Sequence, residues 1–156
     1  MNAKNWVVVA PEIVLLATAC VIALVDLFVT DRARRVTFWL TQGTVAAVAL
    51  LHLQALDAGQ SLFGMQGMVV SDPLGHLLAF FAALSVMATL AYAQPYIGPR
   101  EMMKGEFFTL SLFVLLGVCV MVSANNFLVV YLGLELMSLS LYALTALRRD
   151  HAMATE

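Results

Sequence analysis

Five long apolar stretches dominate this sequence, at residues 11–29, 36–56, 74–94, 107–123 and 126–147. The hydrocarbon core of a bilayer is crossed by about 20 residues of helix, each rising about 1.5 Å. Lipid offers no hydrogen-bond partners, so a segment of this kind satisfies its own backbone only as a helix. The first stretch can extend back to Trp6, which gives expected helices over 6–29, 36–56, 74–94, 107–123 and 126–147. Composition points the same way. Of the 156 residues, 62% are apolar and 12% charged, whereas a soluble domain carries about 25% charged residues. Mean hydropathy is +0.92. A disordered chain, a coiled coil and a water-soluble globule are excluded. The expected fold class is an all-α membrane protein with five transmembrane helices, forming a single transmembrane domain over 1–156.

The links between stretches fix their limits. Pro11, Pro73, Pro95 and Pro99 are all expected at or outside helix ends, where a missing N–H does little harm. Asp72, just before Pro73, suits an N-cap for the third helix. Ser123-Ala124-Asn125-Asn126 makes a very short link between the last two helices, which must form an antiparallel hairpin. The segment 57–72 is too polar to span and carries Gly59, Gly64 and Gly67, so an irregular or hairpin loop is expected there. The first stretch is too long, and too acidic at Glu12 and Asp26, for a cleaved signal peptide; it is expected to be a retained helix.

Loop charge sets the orientation. Arg32, Arg34 and Arg35, then Arg100 and Lys104, then Arg148 and Arg149 occupy alternate links, while the opposite side holds only Lys4. The N-terminus is expected outside and the C-terminus in the cytoplasm. These scattered cations form no basic patch, which argues against a nucleic-acid partner. Cys20 and Cys119 lie inside apolar stretches with no Cys/His cluster near them in sequence, so they read as small hydrophobes, with no disulfide or metal site indicated.

Of the ionisable residues in or near the helices, six bear most on chemistry. Glu12, Asp26, His52, His76 and Glu106 lie close enough to helix ends to be expected at the interface. Glu135 does not. It sits nine residues after Asn126, about 13 Å along the helix, near the bilayer midplane. A charge there costs at least about 2.5–3.5 kcal/mol. The group must be neutral, paired with a cation, or reached by water. Tyr131 precedes it at i−4; Ser138 and Tyr142 follow at i+3 and i+7, making a polar stripe expected to face other helices rather than lipid. One reading of the stripe is helix–helix glue. The sharper one is a protonatable site on a proton path, because a buried acid with a movable partner has a tunable proton affinity. No Lys or Arg lies within the apolar stretches, so a counter-ion for Glu135 is expected from another subunit or from a continuation of the polypeptide. The tail 150–156 has no structural reason to be a terminus, and the chain is expected to be cut short.

The segment 127–144, with Glu135, Ser138 and Tyr142 in a Glu-x-x-Ser-x-x-x-Tyr helix, resembles the fifth transmembrane helix of the antiporter-like proton-channel subunits of NADH-quinone oxidoreductase, respiratory complex I. Pro11-Glu12-Ile13-Val14-Leu15, Asp72-Pro73-Leu74 and Gly105-Glu106-Phe107-Phe108 support the resemblance, which spans nearly all of the chain. The resemblance implies a multi-pass subunit of the cell inner membrane, an N-terminal portion of a longer fold with two inverted repeats. It implies that Glu135 pairs with a lysine on a later helix, with Ser138, Tyr142 and Tyr131 in support. That lysine, the broken helix and the second repeat are absent from these residues. It also implies other membrane subunits and lipid as partners. No cofactor is expected in this chain; NADH, FMN, iron–sulfur clusters and quinone would be handled elsewhere in the complex, and the sequence has no GxGxxG or cysteine cluster. Two other functions remain open at this point: a subunit of a cation/proton antiporter, or a non-catalytic structural or assembly fragment.

Overall fold

A computed structural model describes residues 3–29, 34–59, 61–97 and 104–147. Six α-helices and one short hairpin follow in order: α1 (Ala3–Val8), α2 (Ala10–Asp26), α3 (Arg35–Ala58), β1 (Leu62–Gly64), β2 (Val69–Ser71), α4 (Pro73–Ile97), α5 (Gly105–Val122) and α6 (Phe127–Thr145). Four of them, α3 to α6, are long and apolar enough to cross a membrane. The chain is thus an all-α membrane protein, save for the small hairpin. Arg32, Arg100, Arg148 and Arg149, on which much of the expected orientation rests, lie outside the described residues, as do Pro99 and the tail 150–156; the side chain of Lys4 is not described either.

The first expected helix is divided. Val9 sits between α1 and α2 with φ −106° and ψ 13°, and Pro11 occupies the first turn of α2. A proline has no N–H to donate and its ring collides with the carbonyl four residues back, so the helix restarts rather than running through from Trp6. It also stops at Asp26 rather than Val29, leaving α2 with 17 residues. A second correction concerns Pro95, which lies inside α4 and not beyond its end. Only two residues of the helix, Tyr96 and Ile97, follow it, so the helix loses little by accommodating it there.

Helix α5 is the centre of the bundle. It packs on α2, α3, α4 and α6, while α3 also packs on α2 and α4. One core joins Leu15, Ala19 and Ile22 of α2, Val45, Val48 and Ala49 of α3, Ala79 and Ala83 of α4, and Leu112, Leu115, Leu116 and Cys119 of α5. Helix α6 contributes only Gly133 and Ser140 as fully buried residues. Of the two cysteines, Cys20 is exposed and Cys119 buried.

The two ends of the bundle are closed differently. At one end Asp26 holds three elements. It pairs with Arg34 at 2.8 Å, accepts a hydrogen bond from Thr37 Oγ1 at 2.7 Å, and lies against Gly105 at the start of α5. At the other end the segment 57–72, expected as an irregular or hairpin loop, contains a hairpin, with Leu62, Phe63 and Gly64 paired antiparallel to Ser71, Val70 and Val69. The α5–α6 turn adds to it. Val70 N–H donates to Ser123 O at 2.8 Å, and Asn125 N–H to Met68 O at 2.9 Å. Asp72 caps α4 as expected, accepting from Gly75 N–H at 3.0 Å. Asn126 caps α6, accepting from Leu128 N–H at 2.9 Å. Asn126→Ala is expected to cost about 1 kcal/mol, read as a lowered midpoint in reversible unfolding from mixed micelles.

Three of the residues expected at an interface are enclosed, wholly or in part, by protein at this end of the bundle. His52 and His76 are buried, at 2% and 8% exposure, and one carboxylate oxygen of Glu12, Oε2, is buried without a partner. The hairpin is the cause: it folds over this end and encloses side chains that would otherwise reach water. Asp26 remains beside its arginine, and Glu106 stands exposed in the first turn of α5.

Candidate functional site

Glu135 is the ninth residue of α6, about 12 Å from the start of the helix. The face that α6 turns toward α5 is set by glycine. A Cβ on Gly117 would meet Met137 N at 2.7 Å and Gly133 O at 2.8 Å; one on Gly133 would meet Gly117 O at 2.8 Å and Met121 N at 2.9 Å. The two backbones touch there, as they do where small residues line a helix crossing in lipid. At 100° per residue, Gly133, Met137 and Ser140 share that side, and Tyr131, Glu135, Ser138 and Tyr142 lie on the opposite one.

The four residues named from the sequence therefore do form one stripe. Tyr131 and Tyr142 are exposed, at 56% and 69%, and Glu135 and Ser138 are partly buried. The Tyr131 hydroxyl interacts with the Glu135 carboxylate, one turn along the helix. Among the described residues no helix covers this stripe and no cation pairs with Glu135. Among the described residues the stripe thus faces away from the other helices, not onto one of them as expected. The stripe presents a hydrogen-bond acceptor, phenolic donors and a serine hydroxyl to whatever stands beside it. Such a set can bind a cationic side chain and let it go, or hand a proton to water.

Sequence reasoning missed the grouping of Glu12, His52 and His76. The depth of each histidine from the same end of its helix was legible. That the two rings meet was not, because α3 and α4 are juxtaposed only by packing and the enclosing hairpin shows no periodic signal.

No family model matches the chain. Individual curated relatives do. NADH-quinone oxidoreductase subunit N of Polaromonas naphthalenivorans (strain CJ2) is 52% identical over 153 residues, 97% of this chain and 31% of its own length. The subunit N of Herminiimonas arsenicoxydans is 48% identical over 100% of this chain and 32% of its own length. That of Nitrosomonas europaea is 45% identical over 94% and 30%. The chain spans about a third of the length of these relatives. Over nearly its whole length this chain is thus similar to part of curated NADH-quinone oxidoreductase subunit N proteins.

Proposed function

We propose that the chain is part of a membrane subunit of proton-translocating NADH-quinone oxidoreductase, which couples electron transfer from NADH to quinone with proton movement across the bacterial inner membrane. In this reading it crosses the bilayer five times, with α2 as the first span, the N-terminus outside and the C-terminus in the cytoplasm. The rest of the subunit and its neighbours in the complex lie along α6. NADH, FMN, the iron–sulfur clusters and quinone belong to other subunits. The observation that carries the proposal is the placement of Glu135: an acid at mid-helix, on a polar stripe turned away from its own bundle, in a chain homologous to subunit N.

Glu135 acts here through a cation supplied by a neighbouring helix. Ion pairing holds that cation charged; separation of the pair lets it release its proton. Tyr131 stabilises the carboxylate while it is unpaired, and Ser138 and Tyr142 offer hydrogen bonds to water entering the gap. Glu135→Gln in the full assembly is expected to lower coupled proton pumping several-fold with assembly intact, since glutamine keeps the shape and removes the charge. Proton uptake and NADH oxidation by inverted membrane vesicles provide the measurement. Unchanged coupled activity would refute the role.

A further inference from the structure

A group of polar side chains unconnected with Glu135 lies under the hairpin. Nδ1 of His52 and Nδ1 of His76 are 3.0 Å apart, with the ring centres 5.3 Å apart. Two protons, or two lone pairs, would repel at that distance, so one nitrogen carries the hydrogen and the other accepts it. Beyond the pair, His76 Nε2 is 2.7 Å from Ser71 Oγ. His52 Nε2 has only the sulfur of Cys119, at 3.9 Å, a weak partner. Glu12 Oε2 has none. Glu12, His52, His76, Cys119 and Ser123 line the same cavity, of about 10 Å³, close to the room one water needs. A water there would give both His52 Nε2 and Glu12 Oε2 a partner.

We infer that His76, His52 and Glu12 form a proton-transfer site of their own at the hairpin end of the bundle, in which one proton passes from the Ser71 side of His76, across the ring pair and through one water, to Glu12. In the starting state His76 carries its hydrogen on Nδ1 and His52 on Nε2. His76 takes a proton on Nε2 and gives its Nδ1 proton to Nδ1 of His52. His52 releases its Nε2 proton to the water, and the water delivers one to the Glu12 carboxylate. Only N–H and O–H bonds form and break, and no electrons are transferred. Both rings end as the opposite tautomer, and the return passage restores them.

The groups facing the pair are Glu12 from α2, Cys119 from α5, Ser71 from β2, Ser123 from the α5–α6 turn, and Asp72 at the start of α4. Asp72 already accepts the Gly75 N–H, and Ser123 interacts with Glu12. No Lys or Arg lines the cavity. Two anions therefore line the cavity, Glu12 and Asp72, and Asp72 acts on His76 through its charge. Ser71 is only partly buried, which puts the His76 end toward water. The inference does not rest on Glu135 or on membership of a larger assembly.

The test is ¹⁵N NMR of the histidine-labelled chain in lipid bilayers, from about pH 8 to about pH 5, the range in which imidazole exchanges its proton. His151→Gln leaves two rings to observe. The expected result is a nitrogen–nitrogen coupling across the Nδ1 pair, with ring signals averaged between tautomers. Glu12→Gln should keep the coupling and lose the averaging. If that variant loses the coupling as well, Ser71→Ala, which deletes one hydroxyl outside the pair, is scored in its place with the same expectation. Two fixed tautomers in the unsubstituted chain, no coupling at all, or averaging that survives the scored substitution would each overturn the inference.

Discussion

Gly133→Leu is expected to destabilise the chain by about 3 kcal/mol, at the upper end of what overpacking costs. The reason is what the new side chain meets. A Cβ at Gly133 falls 2.8 Å from Gly117 O and 2.9 Å from Met121 N, both backbone atoms of α5. A flexible side chain could move aside; a helix backbone can yield only if the two helices part. Separation is costly because α6 packs almost entirely on α5, and lipid supplies no hydrophobic drive to bring them back. Gly117→Leu should behave alike, since its Cβ meets Met137 N at 2.7 Å. Gly43, with nothing within 4 Å of its added Cβ, is the control. Gly43→Ala should be neutral or stabilising by up to about 1 kcal/mol, as alanine favours helix. Reversible unfolding in mixed micelles measures all three, and equal midpoints for Gly133→Leu and Gly43→Ala would defeat the account of the α5–α6 contact.

Gly105→Ala is expected to cost about 2 kcal/mol, the scale of hydrogen bonds to charged groups, and to do so through Asp26. A Cβ at Gly105 would occupy the place of the Asp26 carboxylate. That carboxylate is a side-chain end, but it is pinned by Arg34 at 2.8 Å and by Thr37 Oγ1 at 2.7 Å. Displacing it weakens both bonds. Arg34 would keep its contacts to Asp26 O at 2.9 Å and Val29 O at 3.2 Å, so it is not left unsatisfied. The diagnostic is coupling. In an Asp26→Ala background there is no carboxylate to displace, and Gly105→Ala should cost little more. Additive losses in the double-mutant cycle would show that the two positions act separately.

Much of the fold was legible because lipid leaves the backbone so few choices. Length and polarity located α3, α4, α5 and α6, and the cap residue Asp72 marked where one of them begins. The loop at 57–72 followed from its polarity and glycines, which left a hairpin and an irregular path both open. Pro11 stands in a first turn, as expected of a proline at a helix end; the extension back past it to Trp6 and the placing of Pro95 beyond a helix are where that reasoning fails. A proline near a helix end can restart the helix or ride within its last turn, and the sequence looks alike in both cases. The polar stripe through Glu135 was visible too, because residues on one helix share a face by fixed angular spacing whatever surrounds them.

By itself, then, the sequence determined the spanning elements and everything that depends on position along one helix, including Tyr131, Glu135, Ser138 and Tyr142. Only the tertiary structure decided what meets across helices: that Gly117 and Gly133 bring α5 and α6 to backbone contact, that Asp26 joins three elements, and that His52, His76 and Glu12 are enclosed together. Local geometry is periodic and can be counted. Contacts between helices depend on rotation and depth, which here are set by glycine contacts and by a hairpin folded over one end, and neither leaves a period in the chain.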